Sequence, residues 1–127
     1  MRTDQLAHPA PKPGDEIPAD IQTRMAHIDA LDPFIHQPTR LLLLAYLAKQ
    51  HEAVSFQTLL ERLQMRRSNL SIQLKLLEQK GLLDVTKRRE GRYRKTMVAL
   101  TPAGREAITQ HMTHVLAALG ERETEEA

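Results

Sequence analysis

The spacing of apolar residues changes abruptly at Gly81. Before this glycine, apolar residues recur at i, i+4 and i+7, which places them on one face of a helix. These residues are Leu70, Leu74 and Leu77. After it, apolar and polar residues alternate, as they do in a half-buried β-strand. Because serine often caps the start of a helix and glycine its end, we predict a helix from Ser68 to Lys80, capped by Ser68 and closed by Gly81.

The residues after Gly81 predict a β-hairpin. Alternating stretches over residues 83–88 and 96–100 are separated by the turn signal Glu90-Gly91. The apolar positions at the base of this hairpin are Leu83, Val85, Val98 and Leu100. The basic residues around its turn are Lys87, Arg88, Arg89, Arg92, Arg94 and Lys95. We therefore expect an apolar base that packs on the helices and a cationic tip.

Four more helices are predicted around this unit. The first two run from Ala19 to about Asp32 and, behind a proline, from Thr39 to Lys49. The others begin at the caps Ser55 and Thr101, and Gly120 ends the last one. The helix after Ser55 and the Ser68 helix are joined by a short polar turn, which is a helix-turn-helix candidate. The predicted fold is mainly α with a β-hairpin wing, a winged helix-turn-helix with extra N- and C-terminal helices for dimerisation.

The ends of the chain differ in composition from its middle. Residues 1–18 carry four of the seven prolines and few apolar residues, so we expect a flexible tail. Residues 120–127 form an acidic tail, and residues 19–119 form one domain. The chain has no cysteine and no apolar run long enough to span a membrane, so a cytoplasmic protein is expected.

Positive charge is concentrated in one part of the sequence. Lys and Arg number six against eight Asp and Glu in residues 1–64, ten against three in residues 65–95, and two against five in residues 96–127. The net charge of +2 hides this distribution. A basic patch between acidic ends is typical of proteins that bind a polyanion such as double-stranded DNA.

The predicted Ser68 to Lys80 helix presents a polar side opposite its leucines. A helix that enters the major groove needs short polar side chains for base edges and cations for phosphates. The candidate DNA-contacting residues of the turn and helix are Arg66, Arg67, Ser68, Asn69, Ser71, Ile72, Lys75 and Gln79. The six basic residues of the hairpin tip are expected to contact chiefly the DNA backbone, or the adjacent minor groove.

Five sequence blocks carry a resemblance to a known family. They are DPFIHQPTR followed by leucines (32–47), SFQTL (55–59), NLSIQLKLLE (69–78), GLL (81–83) and LTPAGR (100–105). In this order they resemble a winged-helix family related to the MarR and ArsR repressors, over about residues 31–118. The resemblance implies a homodimer that binds a pseudo-palindromic DNA site, usually as a repressor. Gln73 stands where relatives often have His.

The two outer helices carry apolar stripes that also predict a dimer. Both lie outside the helix-turn-helix and the hairpin, and their apolar faces need a partner surface. The candidate interface residues are Ile21, Met25, Ile28, Ile108, Met112, Val115 and Leu119. Packing within a single chain is the alternative.

Other functions find less support in the sequence. His111 and His114 have a spacing that can chelate, but two ligands do not make a metal site, and no metal or cofactor is expected. No catalytic motif is present, so an enzyme is not expected. The alternative function is a winged-helix module that binds an acidic protein or RNA. A small-molecule effector remains an open partner, although aromatic residues for a pocket are scarce.

Overall fold

A computed structural model describes residues 17–120. Residues 1–16 of the expected N-terminal tail and residues 121–127 of the acidic tail lie outside this range. The order of elements within it is α1 (Ala19–Asp29), α2 (Pro38–Ala48), β1 (Val54–Ser55), α3 (Phe56–Leu63), α4 (Arg67–Gln79), β2 (Leu83–Glu90), β3 (Tyr93–Leu100) and α5 (Pro102–Ala118). The structure therefore confirms a mainly α fold with a hairpin wing. None of the helices in this range is long and apolar enough to cross a membrane.

Side-chain caps fix the starts of three helices. The Ser55 hydroxyl accepts a hydrogen bond from the backbone N–H of Thr58 at 3.0 Å, and the Thr101 hydroxyl accepts one from Gly104 at 2.9 Å. Both caps were expected from the sequence. Gln37 caps α2 in the same way, with its Oε1 2.8 Å from the backbone nitrogen of Arg40. Each cap satisfies a backbone donor that the first helical turn leaves free.

The prediction that Ser68 caps α4 is wrong. The helix starts one residue earlier, at Arg67, and its N-cap is Arg66, which makes no side-chain capping bond. The preceding turn explains the shift. Gln64 adopts a left-handed conformation with φ of 55°, which ends α3 and returns the chain to helical geometry within three residues. Ser68 thus lies inside the first turn of α4 with its side chain exposed.

Gly81 closes α4 as predicted. Its φ of 77° is in the left-handed region that favours glycine. The N–H of Leu82 bonds to the Leu77 carbonyl at 3.0 Å, and the N–H of Gly81 bonds to the Glu78 carbonyl at 2.9 Å. This pair of bonds is a Schellman motif, which satisfies carbonyls at the helix end and directs the chain into β2.

The hairpin belongs to a three-stranded antiparallel sheet. β2 and β3 pair from Leu83 opposite Leu100 to Glu90 opposite Tyr93, so the two-residue turn is Gly91-Arg92, one residue later than predicted. Val54 in β1 pairs with Val98 on the other side of β3, which gives the strand order β1-β3-β2. The two-residue β1 was not predicted, because such a short strand has no measurable periodicity.

The core lies between the helices and the base of the sheet. The fully buried side chains are Leu43, Leu44, Leu59, Leu70, Leu77, Leu83, Val98 and Ile108. Leu43, Leu44 and Leu47 of α2 are buried, whereas Leu42 is 50% exposed. α4 and the hairpin base pack on the same core, so the positions of the exposed face of α4 and of the wing are fixed relative to each other.

Candidate nucleic-acid interface

The outward side of α4 is one exposed polar face. Its leucines at 70, 74 and 77 are buried, as the helical spacing predicts. The exposed residues on the other side are Ser68, Asn69, Ser71, Ile72, Lys75 and Gln79. Ile72 is 56% exposed among polar neighbours, and this apolar group is suited to contact a thymine methyl in the major groove. The structure therefore brings all the candidate base-contacting residues of α4 to one side.

Gln73 lies at the edge of this face and is 9% exposed. Its Nε2 donates to Oδ1 of Asn69 at 3.3 Å, whereas its buried Oε1 has no hydrogen-bond partner among the described residues. Sequence reasoning missed this contact because it treated Gln73 only as a departure from the family pattern. The helical i, i+4 spacing of two amides was the available signal.

The wing carries basic side chains on both faces of the hairpin. Arg88 is paired across the strands with Lys95, and Arg89 with Arg94. All four are exposed, as are Lys87 and Arg92. Because like charges directly opposite each other destabilise a hairpin, this arrangement costs free energy in the unbound protein. A bound polyanion would remove that repulsion.

One acidic residue partly neutralises the wing. Glu90 Oε1 lies 2.7 Å from Lys95 Nζ, and this hydrogen bond and the charge of Lys95 lower the pKa of the Glu90 carboxyl. Both side chains are more than half exposed, so the pair stabilises the hairpin only weakly. Lys87, Arg89 and Arg94 lie on the opposite face, because side chains alternate along a strand. That face has no acidic partner among these paired strand residues.

A groove joins the start of α4 to the wing. It has a volume of about 380 Å³ and is lined by Arg67, Arg94 and Lys95 together with the first turn of α3. The guanidinium of Arg67 lies 5.2 Å from the centre of the Phe56 ring, a cation–π contact that holds it at this edge. Candidate residues far apart in the sequence therefore meet in one cationic groove. Ser55 and Thr58 also line it, although the sequence predicted only a capping role for Ser55.

The outer helices present part of the expected apolar face. Met25, Ile28 and Leu119 are exposed by 46%, 53% and 64%, and Leu116, which was not predicted, by 40%. Ile21, Met112 and Val115 are half-buried. The prediction that Ile108 lies in a dimer interface is wrong. Its side chain is only 2% exposed within the single chain, so it belongs to the core. Ile108 lies about two turns after the N-cap Thr101 and is part of the core cluster.

The described residues contain no group of three or more His, Cys, Asp or Glu side chains placed to hold a metal ion. His111 and His114 each lie beside one further histidine, in pairs bridged by hydrogen bonds. Their partners are His36, between α1 and α2, and His27, in α1.

Comparisons with known proteins agree with this geometry. A family described as "Winged helix DNA-binding domain" matches residues 39–119. A transcriptional regulator homologue from Pyrococcus horikoshii OT3 has 22% identity and a TM-score of 0.68, over 76% of this chain and 94% of that one. A MarR-family regulator from Rhodococcus sp. RHA1 has 20% identity and a TM-score of 0.57, over 80% and 68% of the two chains. No curated protein matches the sequence.

A further solved structure contains a ligand. CouR from Rhodococcus jostii RHA1, bound to p-coumaroyl-CoA, has 20% identity and a TM-score of 0.57, over 80% of this chain and 67% of that one. At these identities the solved structures establish the shared fold, and the family match covers most of the chain, from α2 through α5. The family match agrees with the exposed α4 face and the basic wing. The chain therefore belongs to the winged helix DNA-binding domain family, whose fold it shares with transcriptional regulators of the MarR family.

Proposed function

We propose that the protein is a homodimeric, sequence-specific regulator of transcription that represses its target genes. In this proposal α4 enters the major groove and the wing contacts the DNA backbone or the adjacent minor groove. The cationic groove carries the proposal, since Arg67 at the start of α4 and Arg94 and Lys95 in the wing line the same concave surface. A phosphate backbone beside the major groove would lie against such a surface.

The exposed side chains divide into two proposed roles. Ser68, Asn69, Ser71, Ile72, Lys75 and Gln79 face outward on α4 and are proposed to contact base edges. The cations of the turn and the wing are proposed to contact phosphates and to set the position of the domain on the duplex. The first set would determine which sequence is bound, and the second would supply most of the affinity.

Dimerisation is proposed through the exposed apolar residues of α1 and α5. A contiguous exposed apolar face on two adjacent helices commonly marks a protein interface. A two-fold dimer would place two α4 helices about one DNA turn apart, roughly 34 Å, or a small multiple of it. The bound site would then be a pseudo-palindrome.

Selection of bound fragments from genomic DNA, followed by anisotropy titration of the recovered duplex, tests the proposal. We expect an enriched inverted repeat, and we expect Ser71→Glu to abolish binding because it places a carboxylate against the bases. Ala103→Glu, an exposed change at the start of α5 and outside the cationic groove, is the control and should reduce affinity much less. Equal binding of scrambled duplexes, or preferred binding of RNA, would instead favour an interaction module that uses the wing alone.

A further inference from the structure

Two histidine pairs join the N-terminal part of the described chain to α5. His27 Nδ1 in α1 lies 2.9 Å from His114 Nδ1, and His36 Nδ1, between α1 and α2, lies 2.9 Å from His111 Nε2. The rings of both pairs are tilted by 42°. At this separation the two nitrogens share one hydrogen, so one ring must donate and the other must accept through an unprotonated nitrogen.

α1 has little else to hold it in place. It contains no buried residue, and α5 is the helix against which it packs. Its other side-chain bond to α5 runs from Arg24 Nε to the carbonyl oxygen of Ala118, at 2.9 Å. A helix with few buried contacts opens at low free-energy cost, so the loss of a hydrogen bond has a large effect on its attachment.

The segment after α1 connects the pairs to the DNA-binding unit. Phe34 lies two residues before His36, and its ring contacts the Arg40 guanidinium at 4.2 Å and the Lys80 ammonium at 4.9 Å from the ring centre. Lys80 is the C-cap residue of α4. The His36–His111 pair is therefore only a few side chains from the end of the helix proposed to contact bases.

The chemistry of imidazole makes each pair sensitive to protons. A pair with no proton added, or with one, keeps an acceptor nitrogen, whereas a second proton removes the acceptor and places two cations next to each other. Burial, then the neighbouring His36, lowers the pKa of His111, with a smaller contribution from His114. Asp32 raises it but does not reverse the shift.

The charged groups around the pairs come from every adjacent element. Asp32 lines a cavity of about 150 Å³ with His111 and His114, and its Oδ1 also accepts from the Phe34 N–H. Arg24 on α1 is bonded to the end of α5, and Arg40 on α2 stacks on Phe34. Asp29 and Glu106 are exposed. One carboxylate thus lines the cavity beside the pairs, which is too few to neutralise two doubly protonated pairs.

We propose that the two histidine pairs form a proton-operated clamp, which holds α1 and the following segment on α5 when each pair carries at most one extra proton and releases them when both rings are protonated. The folded pKa of His111 lies below the ordinary 6.5, so the released or unfolded chain binds more protons than the clamped one. The His36–His111 pair is therefore fully effective above pH 6.5 and weakens as the pH falls below it.

One consequence rests on the proposed function. Because α1 and α5 supply the proposed dimer face, release of the clamp would weaken the dimer and its binding to DNA. The tests of the clamp itself use the free protein, so failure to bind DNA would leave their result unchanged.

Amide hydrogen exchange of the free protein at pH 7.5 and 5.5, corrected for intrinsic rates, tests the clamp. We expect exchange in α1 to accelerate by up to about tenfold for each ring whose protonation the clamp suppresses, because pH 5.5 lies one unit below the ordinary pKa of 6.5, while α2 changes little. The double variant His27→Gln/His36→Gln keeps a hydrogen-bonding partner in each pair but leaves one titrating ring, so this acceleration should become clearly smaller, and the part that remains comes from the burial of His111. The control His51→Gln changes an exposed histidine outside the pairs and should behave as wild type.

An equal acceleration in the double variant, or none in the wild type, would overturn the proposal. Imidazole nitrogen NMR of the wild type gives a second test that needs no variant. At pH 7.5 one of the two facing nitrogens in each pair is expected to carry the shared hydrogen and the other to accept it, and the absence of this hydrogen bond from both pairs would contradict the clamp. Protection of α1 that persists in EDTA supports a proton switch, whereas protection that requires added Zn²⁺ overturns it.

Discussion

Gly104 illustrates how a single residue fixes the packing of two elements. It lies in the first turn of α5 and is buried. A β-carbon at this position would collide with the backbone carbonyl of Leu82, whose oxygen also accepts a hydrogen bond from the Thr101 N–H at 3.1 Å. Glycine is normally unfavourable inside a helix, but here its lack of a side chain allows α5 to pack against the segment that joins α4 to β2.

Gly104→Ala should therefore destabilise the fold, although alanine is the better helix former. We expect a loss of about 1–3 kcal/mol in the free energy of unfolding, because backbone atoms must move to accommodate the methyl group. Urea denaturation followed by circular dichroism measures it. Ala103→Gly, at the exposed neighbouring position, is the control and should cost no more than about 1 kcal/mol, the usual helix propensity difference. Unchanged or increased stability of Gly104→Ala would contradict the close approach.

At the scale of elements, repulsion between the basic side chains of the wing lowers the stability of the hairpin. Its cross-strand pairs Arg88–Lys95 and Arg89–Arg94 place like charges opposite each other. Only the first has an acidic neighbour, Glu90, which contacts Lys95. This imbalance follows from the two-residue periodicity of a strand, which puts Glu90 and Arg94 on different faces.

Arg94→Thr should stabilise the free protein while weakening its binding to DNA. We expect a gain of about 0.2–1 kcal/mol in the free energy of unfolding, because a like-charge pair is removed and threonine suits a strand. The salt dependence of DNA binding should decrease by about one unit of slope if Arg94 contacts a phosphate. Denaturation and anisotropy measure the two effects. Glu90→Gln should instead lower the free energy of unfolding, because it removes the acidic partner of Lys95. If both variants changed the free energy of unfolding in the same direction, the charge explanation would be contradicted.

Elements of α4 and the wing were predictable because their signals are local. The leucine spacing located α4, the alternation located the hairpin, and the Thr101 and Gly81 signals located helix ends. The start of α4 was misplaced because the left-handed turn at Gln64 determines it, and no glycine marks that turn. The histidine pairs were invisible because their partners are 75 and 87 residues apart in the chain. Which base each α4 residue contacts also depends on the DNA, so that part of the site stays a prediction.

At the scale of the whole molecule, the surface has a basic side and an apolar side. The basic side comprises α4 and the wing, and the apolar side comprises the exposed faces of α1 and α5. In the described residues outside 65–95, five Lys and Arg stand against six Asp and Glu, so the excess of positive charge lies in α4, the turn before it and the wing. Such separation suits a protein that contacts DNA with one surface and a second copy of itself with the other.

Ile28→Glu should convert the proposed dimer into a monomer. The change places a charge in the centre of an apolar contact, where it would be buried without a partner. Sedimentation velocity at micromolar concentration measures the result. Leu42→Glu is the matched control, because Leu42 is 50% exposed, close to the 53% of Ile28, but lies on α2. A dimer that survives Ile28→Glu, or that is lost equally in Leu42→Glu, would place the interface elsewhere.

Affinity for the selected duplex as a function of salt concentration tests the central claim most directly. Each phosphate neutralised by Lys or Arg releases counterions, with a slope of about −0.9 in log affinity against log salt. The cations of the α4 turn and the wing predict a steep slope of several units for the selected duplex and for a scrambled one. The selected duplex should bind more tightly at every salt concentration, because α4 contacts its bases. A slope near zero, or identical affinities for the two duplexes, would contradict the account.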